Sequence, residues 1–397
     1  MNFDPLYFSA DFIPVIWGNS LNAQSYAKEF YDGYQTKSVM IAKEELWTTK
    51  HSQLIDFVEE TEILDDLKKI IQFTDKKLLI VSTNDTGVEA LIELSEKQML
   101  PEQCFVFYPD MNSFSQLTLK GDFARLCSEL GIPHPLTIEV DMEQEPDLSS
   151  ILLDGALWIK PSHRSEWQQS DMKQQYKACR VENIEEAQEI LTEISQSNFE
   201  GTCIVQEEIP GSDDQLVSID IFCDNGKAIV ISSGRKLMEQ KGTNTIGNAL
   251  SILSGNVPLS ALEDAVRLLE YVNWNGWCNI DGKIDERSGR VVFFEANPRL
   301  GRSHYYITAA GYNAVSPYVQ KLREEPVEQP LLIENTLFSI IPASYVTEQL
   351  TQPEIKEKVE EEVLNNRIYN PLYSYDDSSE KRCSVIDNMM SEQWWQN

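Results

Sequence analysis

The sequence predicts an α/β fold in its first third and a mixed α+β arrangement after it. Three observations lead there. Short apolar runs alternate with segments of helical period from Phe12 to Tyr108, and this alternation is the signature of a parallel sheet with helices on its faces. Two turn signals, Asp224-Asn225-Gly226 and Arg287-Ser288-Gly289, then divide the middle of the chain into antiparallel hairpins. The length, 397 residues, suits two or three domains.

The elements follow in order. Phe12-Ile13-Pro14-Val15-Ile16-Trp17 is an apolar strand ending at Gly18-Asn19-Ser20, and Ala23 to Tyr31 carries apolar residues at helical spacing. Ser38 to Ala42, Leu78 to Ser82 and Cys104 to Tyr108 are further strands; the second runs through Asn84-Asp85-Thr86-Gly87 into a helix from Val88 to Lys97. Gly18 and Gly87 thus fall at carboxyl ends of strands, where open α/β sheets bind ligands. Lys120 to Leu130 reads as a helix stopped by Gly131-Ile132-Pro133, and acidic Glu139 to Ser150 reads as a surface loop. Strands at Ala156 to Pro161 and Thr202 to Gln206 flank a helix from Ile184 to Gln196. Val217 to Cys223 pairs with Ala228 to Ser232. After a helix from Leu259 to Val272, Trp277 to Ile284 pairs with Arg290 to Glu295. The end of the chain is helical near Pro353 to Leu364, then irregular to Trp394-Trp395.

Composition excludes several roles. Thirty-three basic residues stand against 64 acidic ones, a net charge of -31. Duplex binding needs basic surface, so no nucleic-acid partner is expected, and anionic lipid is disfavoured too. A small anionic ligand needs its cations gathered in one cleft against the mean field. The cysteines (Cys104, Cys127, Cys179, Cys203, Cys223, Cys278, Cys383) are scattered without a CxxC pair. They read as free thiols of a reducing compartment rather than zinc ligands or a disulfide framework. Met1 to Ala10 carries no signal-peptide pattern, and no apolar run reaches membrane-spanning length. A cytoplasmic protein is expected. Oligomeric state is open, with a homo-oligomer among the options.

The chemistry concentrates near the last hairpin. Glu295 and Asn297 lie two apart on one strand and face the same way. An antiparallel partner can bring Asp281 beside them. Three oxygen ligands without His or Cys suit Mg²⁺, which keeps waters and takes phosphate oxygens for the rest. An acidic hairpin on an acidic protein is the bland alternative. Pro298-Arg299 and Gly301-Arg302-Ser303 weigh against it, because they set two guanidinium groups beside the supposed metal as an anion clamp. Lys160 ends an apolar strand and either snorkels to solvent or reaches a phosphate. Lys120 opens a helix after a polar loop, a surface lysine unless other cations join it. Gln206-Glu207-Glu208-Ile209-Pro210-Gly211 is a hinge whose backbone could read an adenine edge, or an ordinary turn. Arg235-Lys236 follow the strand ending at Ser232 and face the same cleft or form a solvated pair. His304, beside the clamp, either packs or helps to deprotonate an amine.

Taken together, Lys120, Lys160, the Gln206–Gly211 hinge, Asp281 and Glu295-x-Asn297-Pro-Arg resemble the ATP-grasp superfamily over about residues 12 to 330. The run Val291 to Asn313, with Phe12 to Phe30 and Thr245-Ile246-Gly247-Asn248, is similar to its carboxylate–amine ligase branch. That branch is typified by D-aspartate ligases, which add D-aspartate to the lysine side chain of a peptidoglycan precursor. The resemblance implies a Rossmann-like domain (1–115), an ATP-grasp small lobe (116–208), a large lobe with the metal site (209–345), and a C-terminal extension (346–397) packing on that lobe. It implies ATP and Mg²⁺ as cofactors, with an amino acid and an amine acceptor as partners. Lys120 and Lys160 would hold phosphates, Glu207 and Ile209 the adenine, and Asp214 the ribose. Asp281, Glu295 and Asn297 would hold the metal. Arg235, Arg299 and Arg302 would stabilise the transferring phosphoryl group or orient a carboxylate, and a second cation for a dicarboxylate would come from Arg235, Lys236 or Arg164. The loop Ser162 to Trp167 departs from the family in not being glycine-rich. Other ATP-grasp ligations, of dipeptides or small amides, and a non-catalytic nucleotide-binding module are the alternatives.

Overall fold

The computed structural model describes residues 9–149, 155–162, 167, 170–172, 177–241, 245, 247–330, 332 and 335–396. Strand β1 (Phe12–Trp17) is buried along nearly its whole length, as a continuous apolar run with helices on both faces should be. After it come α1 (Leu21–Tyr34), β2 (Ser38–Ala42), β3 (Ile55–Glu59), α2 (Ile63–Ile71), β4 (Lys77–Ser82), α3 (Asp85–Glu96) and β5 (Cys104–Phe105). The five strands are parallel in the order β3-β2-β1-β4-β5. Strand order reverses between β1 and β4, so a crevice opens beyond their carboxyl ends. Gly18 turns there with φ +105°, and a Cβ on it would strike the Thr83 and Asn84 side chains. Only glycine tolerates both demands. Strand β3 and helix α2 escape the sequence reading, because Asp56 and Glu59 break the apolar run of Ile55-Asp56-Phe57-Val58-Glu59. The expected strand Cys104 to Tyr108 is cut to two residues. Phe107 leaves the sheet to stack on Phe222 at 5.5 Å, and the Tyr108 hydroxyl accepts from the Ser82 amide at 2.9 Å.

Helices α4 (Met111–Thr118) and α5 (Lys120–Glu129) lead to a four-stranded sheet ordered β6-β9-β7-β8. Its strands are β6 (Thr137–Asp141), β7 (Leu157–Pro161), β8 (Cys179–Val181) and β9 (Thr202–Glu207), backed by α6 (Ile184–Ser195). The acidic stretch read as a loop from Glu139 therefore begins inside β6, where Val140 pairs with Cys203 and is buried. Pairing overrides the poor strand propensity of its acidic neighbours.

A seven-stranded sheet, β14-β13-β10-β11-β12-β15-β16, follows. It comprises β10 (Leu216–Asp224), β11 (Lys227–Glu239), β12 (Ala249–Ser254), β13 (Gly276–Ile284), β14 (Val291–Asn297), β15 (Leu337–Ser339) and β16 (Ile368–Tyr369). Helix α7 (Leu259–Tyr271) packs Ala261, Ala265, Leu268 and Leu269 on one face, against Val217, Ile219, Ile221, Cys278 and Ile280. Strand β11 runs to Glu239, not Ser232, so Arg235 and Lys236 lie within it. Short helices α8 (Tyr305–Ala309), α9 (Ser316–Leu322), α10 (Ala343–Gln349) and α11 (Pro353–Leu364) complete this part.

The chain after Leu364 is not irregular. It forms β16 and α12 (Glu380–Ser391), and it reaches the first domain as well as the large sheet. The Arg382 side chain is fully buried, with Nη2 donating to Thr48 O at 2.7 Å and Nη1 to Trp47 O and Lys50 O at 3.2 Å. Asp377, paired with Arg382 at 3.4 Å, accepts from Gln24, Ser52 and the Gln53 amide. Among the described residues no helix is long and apolar enough to cross a membrane.

Candidate active site

Register assigns the polar face of the large sheet. Asp281 lies opposite Glu295 and Asn279 opposite Asn297 across β13 and β14. Ser218 and Asp220 of β10 lie opposite Asp281 and Asn279 on the other side. Cross-strand partners share a face, so all six turn away from α7. Glu295 shares that face with Asn297 by regular alternation, and an irregularity follows it toward Phe293. Asp281 pairs with Glu295 but Gly282 pairs with Phe293, leaving Phe294 as an extra residue. This bulge lets Phe293 and Ala296 both join the α7 side while Phe294 and Glu295 meet lysines on the other.

Cations crowd this face. Burial alone would raise the Glu295 carboxyl, yet Lys177, Lys120, Lys160 and Lys236 draw it down to about 2. Lys120 Nζ is 3.8 Å from Glu295 Oε1. Lys160 donates to Gln206 Oε1 at 2.9 Å and lies 5.4 Å from the Phe294 ring centre. Burial lowers its ammonium to about 8, with Glu295 pulling the other way. Asp281 is raised, first by burial and then by Glu295, against the opposing pull of Lys236 at 3.0 Å. The cationic cleft demanded by a net charge of -31 thus exists. The sequence offers Lys236 to this cleft alongside Arg235, but it does not offer Lys177. Lys236 was legible from strand alternation once β11 is extended; Lys177 carries no local signal.

Alternation also corrects Arg235. It pairs with Val217, on the α7 side, and its Nε and Nη2 donate to the Asp214 carbonyl. Lys236, one residue on, takes the cleft position expected of Arg235. Asp214 does not join the site either. Its carboxylate accepts from the Thr351 and Gln352 amides at 2.8 and 2.9 Å, which ties the C-terminal segment to the large sheet. Both amide bonds fall on Oδ2, and the Ser212 hydroxyl donates to Oδ1. At the hinge, the Glu207 amide donates to Leu136 O and the Glu207 carboxylate meets Arg287 at 2.8 Å. Ile209 is buried beside it.

The clamp sits between the two domains. Arg299 Nε is 2.8 Å from Asp85 Oδ1 of α3. Arg302 Nη1 is buried with no hydrogen-bond partner, and burial lowers that guanidinium to about 10. His304, wholly buried, contacts Glu29 Oε2 at 3.0 Å and Gly301 O at 3.0 Å, so it packs rather than facing the cleft. Residues 163–166, with Arg164, and Ile246 lie outside the described residues.

The metal set passes a chemical test. Among the described residues no three His, Cys, Asp or Glu side chains gather as a metal group. The expected ligands are two carboxylates and an amide, a poor set for zinc but a suitable one for Mg²⁺ completed by phosphate and water. Asp281 Oδ1 is buried and ion-paired without an aligned hydrogen bond. Asn297 Nδ2 donates to Asn279 Oδ1 at 3.1 Å, which turns the Asn297 oxygen away from that neighbour.

No family model matches the chain. A D-aspartate ligase from Enterococcus faecium is 25% identical over 408 residues, covering 96% of this chain and 94% of the relative. Among solved structures, N5-carboxyaminoimidazole synthetase from Staphylococcus aureus with ADP superposes with a TM-score of 0.57 at 15% identity, over 84% of this chain and 82% of that one. An L-amino acid ligase from Bacillus licheniformis gives 0.55 at 12%, over 80% and 75%. D-alanine–D-alanine ligase from Bacillus anthracis gives 0.52 at 16%, over 79% and 98%. The chain has the ATP-grasp fold, and its resemblance to the carboxylate–amine ligases of that superfamily is borne out.

Proposed function

We propose that this ATP-grasp ligase joins the carboxylate of an amino acid to an amine through an acyl phosphate, in the cytoplasm. The observation that carries the reading is the convergence of Lys120, Lys160, Lys177 and Lys236 on Glu295, against a chain charge of -31. A cluster so costly to assemble suits a polyphosphate bridged to two carboxylates by a divalent cation. Lys120 and Lys160 neutralise the nucleotide's phosphates, and the Glu207–Ile209 backbone takes the adenine. Asp281, Glu295 and Asn297 would hold Mg²⁺, which supplies charge neutralisation at the transferring phosphoryl group. Arg302, whose Nη1 has no hydrogen-bond partner among the described residues, receives the donor carboxylate, and Arg299 orients it. One carboxylate oxygen attacks the γ-phosphorus, ADP leaves, and the amine then displaces phosphate from the acyl carbon.

The finer assignment, D-aspartate as donor and a peptidoglycan lysine as acceptor, is supported by the similarity to a D-aspartate ligase along nearly the whole chain. Arg302 and Arg299 provide for one carboxylate of the dicarboxylic donor; Lys236, ion-paired to Asp281 and Glu239, is the candidate for the other. Free thiols at all seven cysteines agree with a reducing compartment. Phosphate release from Mg-ATP, measured with single D- and L-amino acids, tests the reading. D-aspartate should stimulate most. Stimulation by another amino acid instead would overturn the donor, and stimulation by none would overturn the ligase.

A further inference from the structure

The carboxylates of the site are mostly committed. Asp281 and Glu295 face the lysines. Asp220 accepts from the Gly301 amide at 3.1 Å and the Tyr306 hydroxyl at 2.8 Å. Glu29 accepts from Thr308 and meets His304. Asp85 differs. It opens α3 at the carboxyl end of β4, next to the Asn84 cap whose side chain accepts from the Gly87 amide at 2.8 Å. Half of its side chain is exposed (49%), while that of Arg299 is 16% exposed. The two groups touch at 2.8 Å, but neither Asp85 Oδ1 nor Arg299 Nε has an aligned hydrogen bond, although both atoms are buried. Buried polar atoms in native proteins are nearly always bonded. The ion pair is in contact yet misaligned, and three residues along the chain Arg302 Nη1 has no hydrogen-bond partner among the described residues; these are valences held for something else.

The structure assigns Asp85, we propose, as the docking group for the ammonium of the incoming amine. The assignment rests on the ligase reading above. When Arg299 turns to the donor carboxylate or its acyl phosphate, it leaves Asp85 as a lone carboxylate at the mouth of the clamp. An approach from the phosphate side would cross the field of Lys120, Lys160, Lys177 and Lys236, which repels a cation. An approach past Asp85 would not. The step balances. Asp85 takes one proton from the ammonium, and the amine lone pair forms the C–N bond as the acyl C–O bond to phosphate breaks. The second nitrogen-bound proton leaves with the phosphate.

The test separates donor activation from amine capture. With Mg-ATP and D-aspartate, hydroxylamine, uncharged at neutral pH, traps the acyl phosphate as a hydroxamate without needing an ammonium site. Amide formation is then measured with ammonia, ethylamine, cadaverine and a lysyl pentapeptide. Asp85→Asn should leave hydroxamate formation and the donor KM within about twofold. It should lower kcat/KM for every accepted amine by at least about tenfold, the loss expected for one hydrogen bond to a charged group. Asp85→Glu should restore part of it. A matching fall in hydroxamate formation, or a raised donor KM, would mean that Asp85 serves Arg299 or the donor, and would overturn the proposal. So would unchanged amine kinetics, or hydroxamate formation by the wild type with none of the amines accepted, which leaves the ligase reading standing. A wild type that traps no hydroxamate with D-aspartate or with any other single D- or L-amino acid as donor fails the ligase reading itself, and the docking role with it.

Discussion

Lys160 shows how one buried side chain ties affinity to pH. Burial against Phe294 and Gln206 lowers its ammonium to about 8. The phosphate attraction it would supply on the proposed reading is therefore present below that value and lost as pH rises through it. In the free enzyme kcat/KM for ATP should fall above about pH 8. Lys160→Arg, always charged, should abolish that break, and a wild-type profile flat across the range would return Lys160 to a structural role. Arg302 makes a complementary prediction. Its Nη1 has no hydrogen-bond partner among the described residues, so Arg302→Ala should raise KM for the amino acid far more than for ATP. The reverse pattern would move Arg302 to the phosphates. At this scale the sequence was readable where spacing alone decides the face. Glu295 and Asn297 are such a pair, and Asp281 joins them because the hairpin turn sets its register. Arg235 was misread because the strand was ended too soon, and alternation hands the cleft to Lys236. The partners of Asp214, Thr351 and Gln352, are not legible in the sequence because they lie more than a hundred residues along the chain.

Elements meet around the clamp. Helix α1 is fixed to the loop after β14 by Glu29, which receives Thr308 Oγ1 at 2.6 Å and His304 Nε2 at 3.0 Å, and by its carbonyl, which receives Asn313 Nδ2 at 2.8 Å. A carbonyl only accepts, so His304 must carry a proton on Nδ1 toward Gly301 O. The carboxylate then favours a second proton on Nε2, and Glu29 raises the imidazole accordingly, although burial opposes it. The stability this pair contributes is complete below the unfolded value of about 6.5 and is lost as pH rises through the higher folded value. His304→Ala strands a buried charge and should cost about 3–5 kcal/mol in urea unfolding. The double variant Glu29→Gln, His304→Gln should lose less, and its deficit should shrink at alkaline pH. A single variant no worse than the double would remove the pair from the account. The sequence placed His304 beside the clamp, but its partner lies 275 residues away and carries no local mark. The bulge at Phe294 is hidden for a similar reason, since strict alternation along β14 would have turned Glu295 and Phe293 the same way.

Across the whole molecule the C-terminal segment binds domains that the sequence reads as separate. Asp214 holds Thr351 and Gln352 to the large sheet, while Arg382 and Asp377 hold the loop Trp47–Gln53 of the first domain. Arg382→Ala leaves Asp377 buried and three carbonyls unpaired, and should cost roughly 3–5 kcal/mol. Unfolding monitored at both domains should then lose its single cooperative transition. A stability change under about 1 kcal/mol would show that the segment is only an appendage. The α/β alternation and the hairpins were legible because local period and turn chemistry decide them. The end of the chain was not, because its helix α12 is anchored by a buried arginine whose carbonyl partners come from residues 47 to 50. On the function proposed above, a carboxylate oxygen is transferred to phosphorus. The most direct measurement supplies D-aspartate labelled with heavy oxygen in its carboxylates, together with Mg-ATP and an amine acceptor, and weighs the inorganic phosphate released. One labelled oxygen in each phosphate is the result expected of an acyl phosphate. Amide formation with unlabelled phosphate would contradict the account.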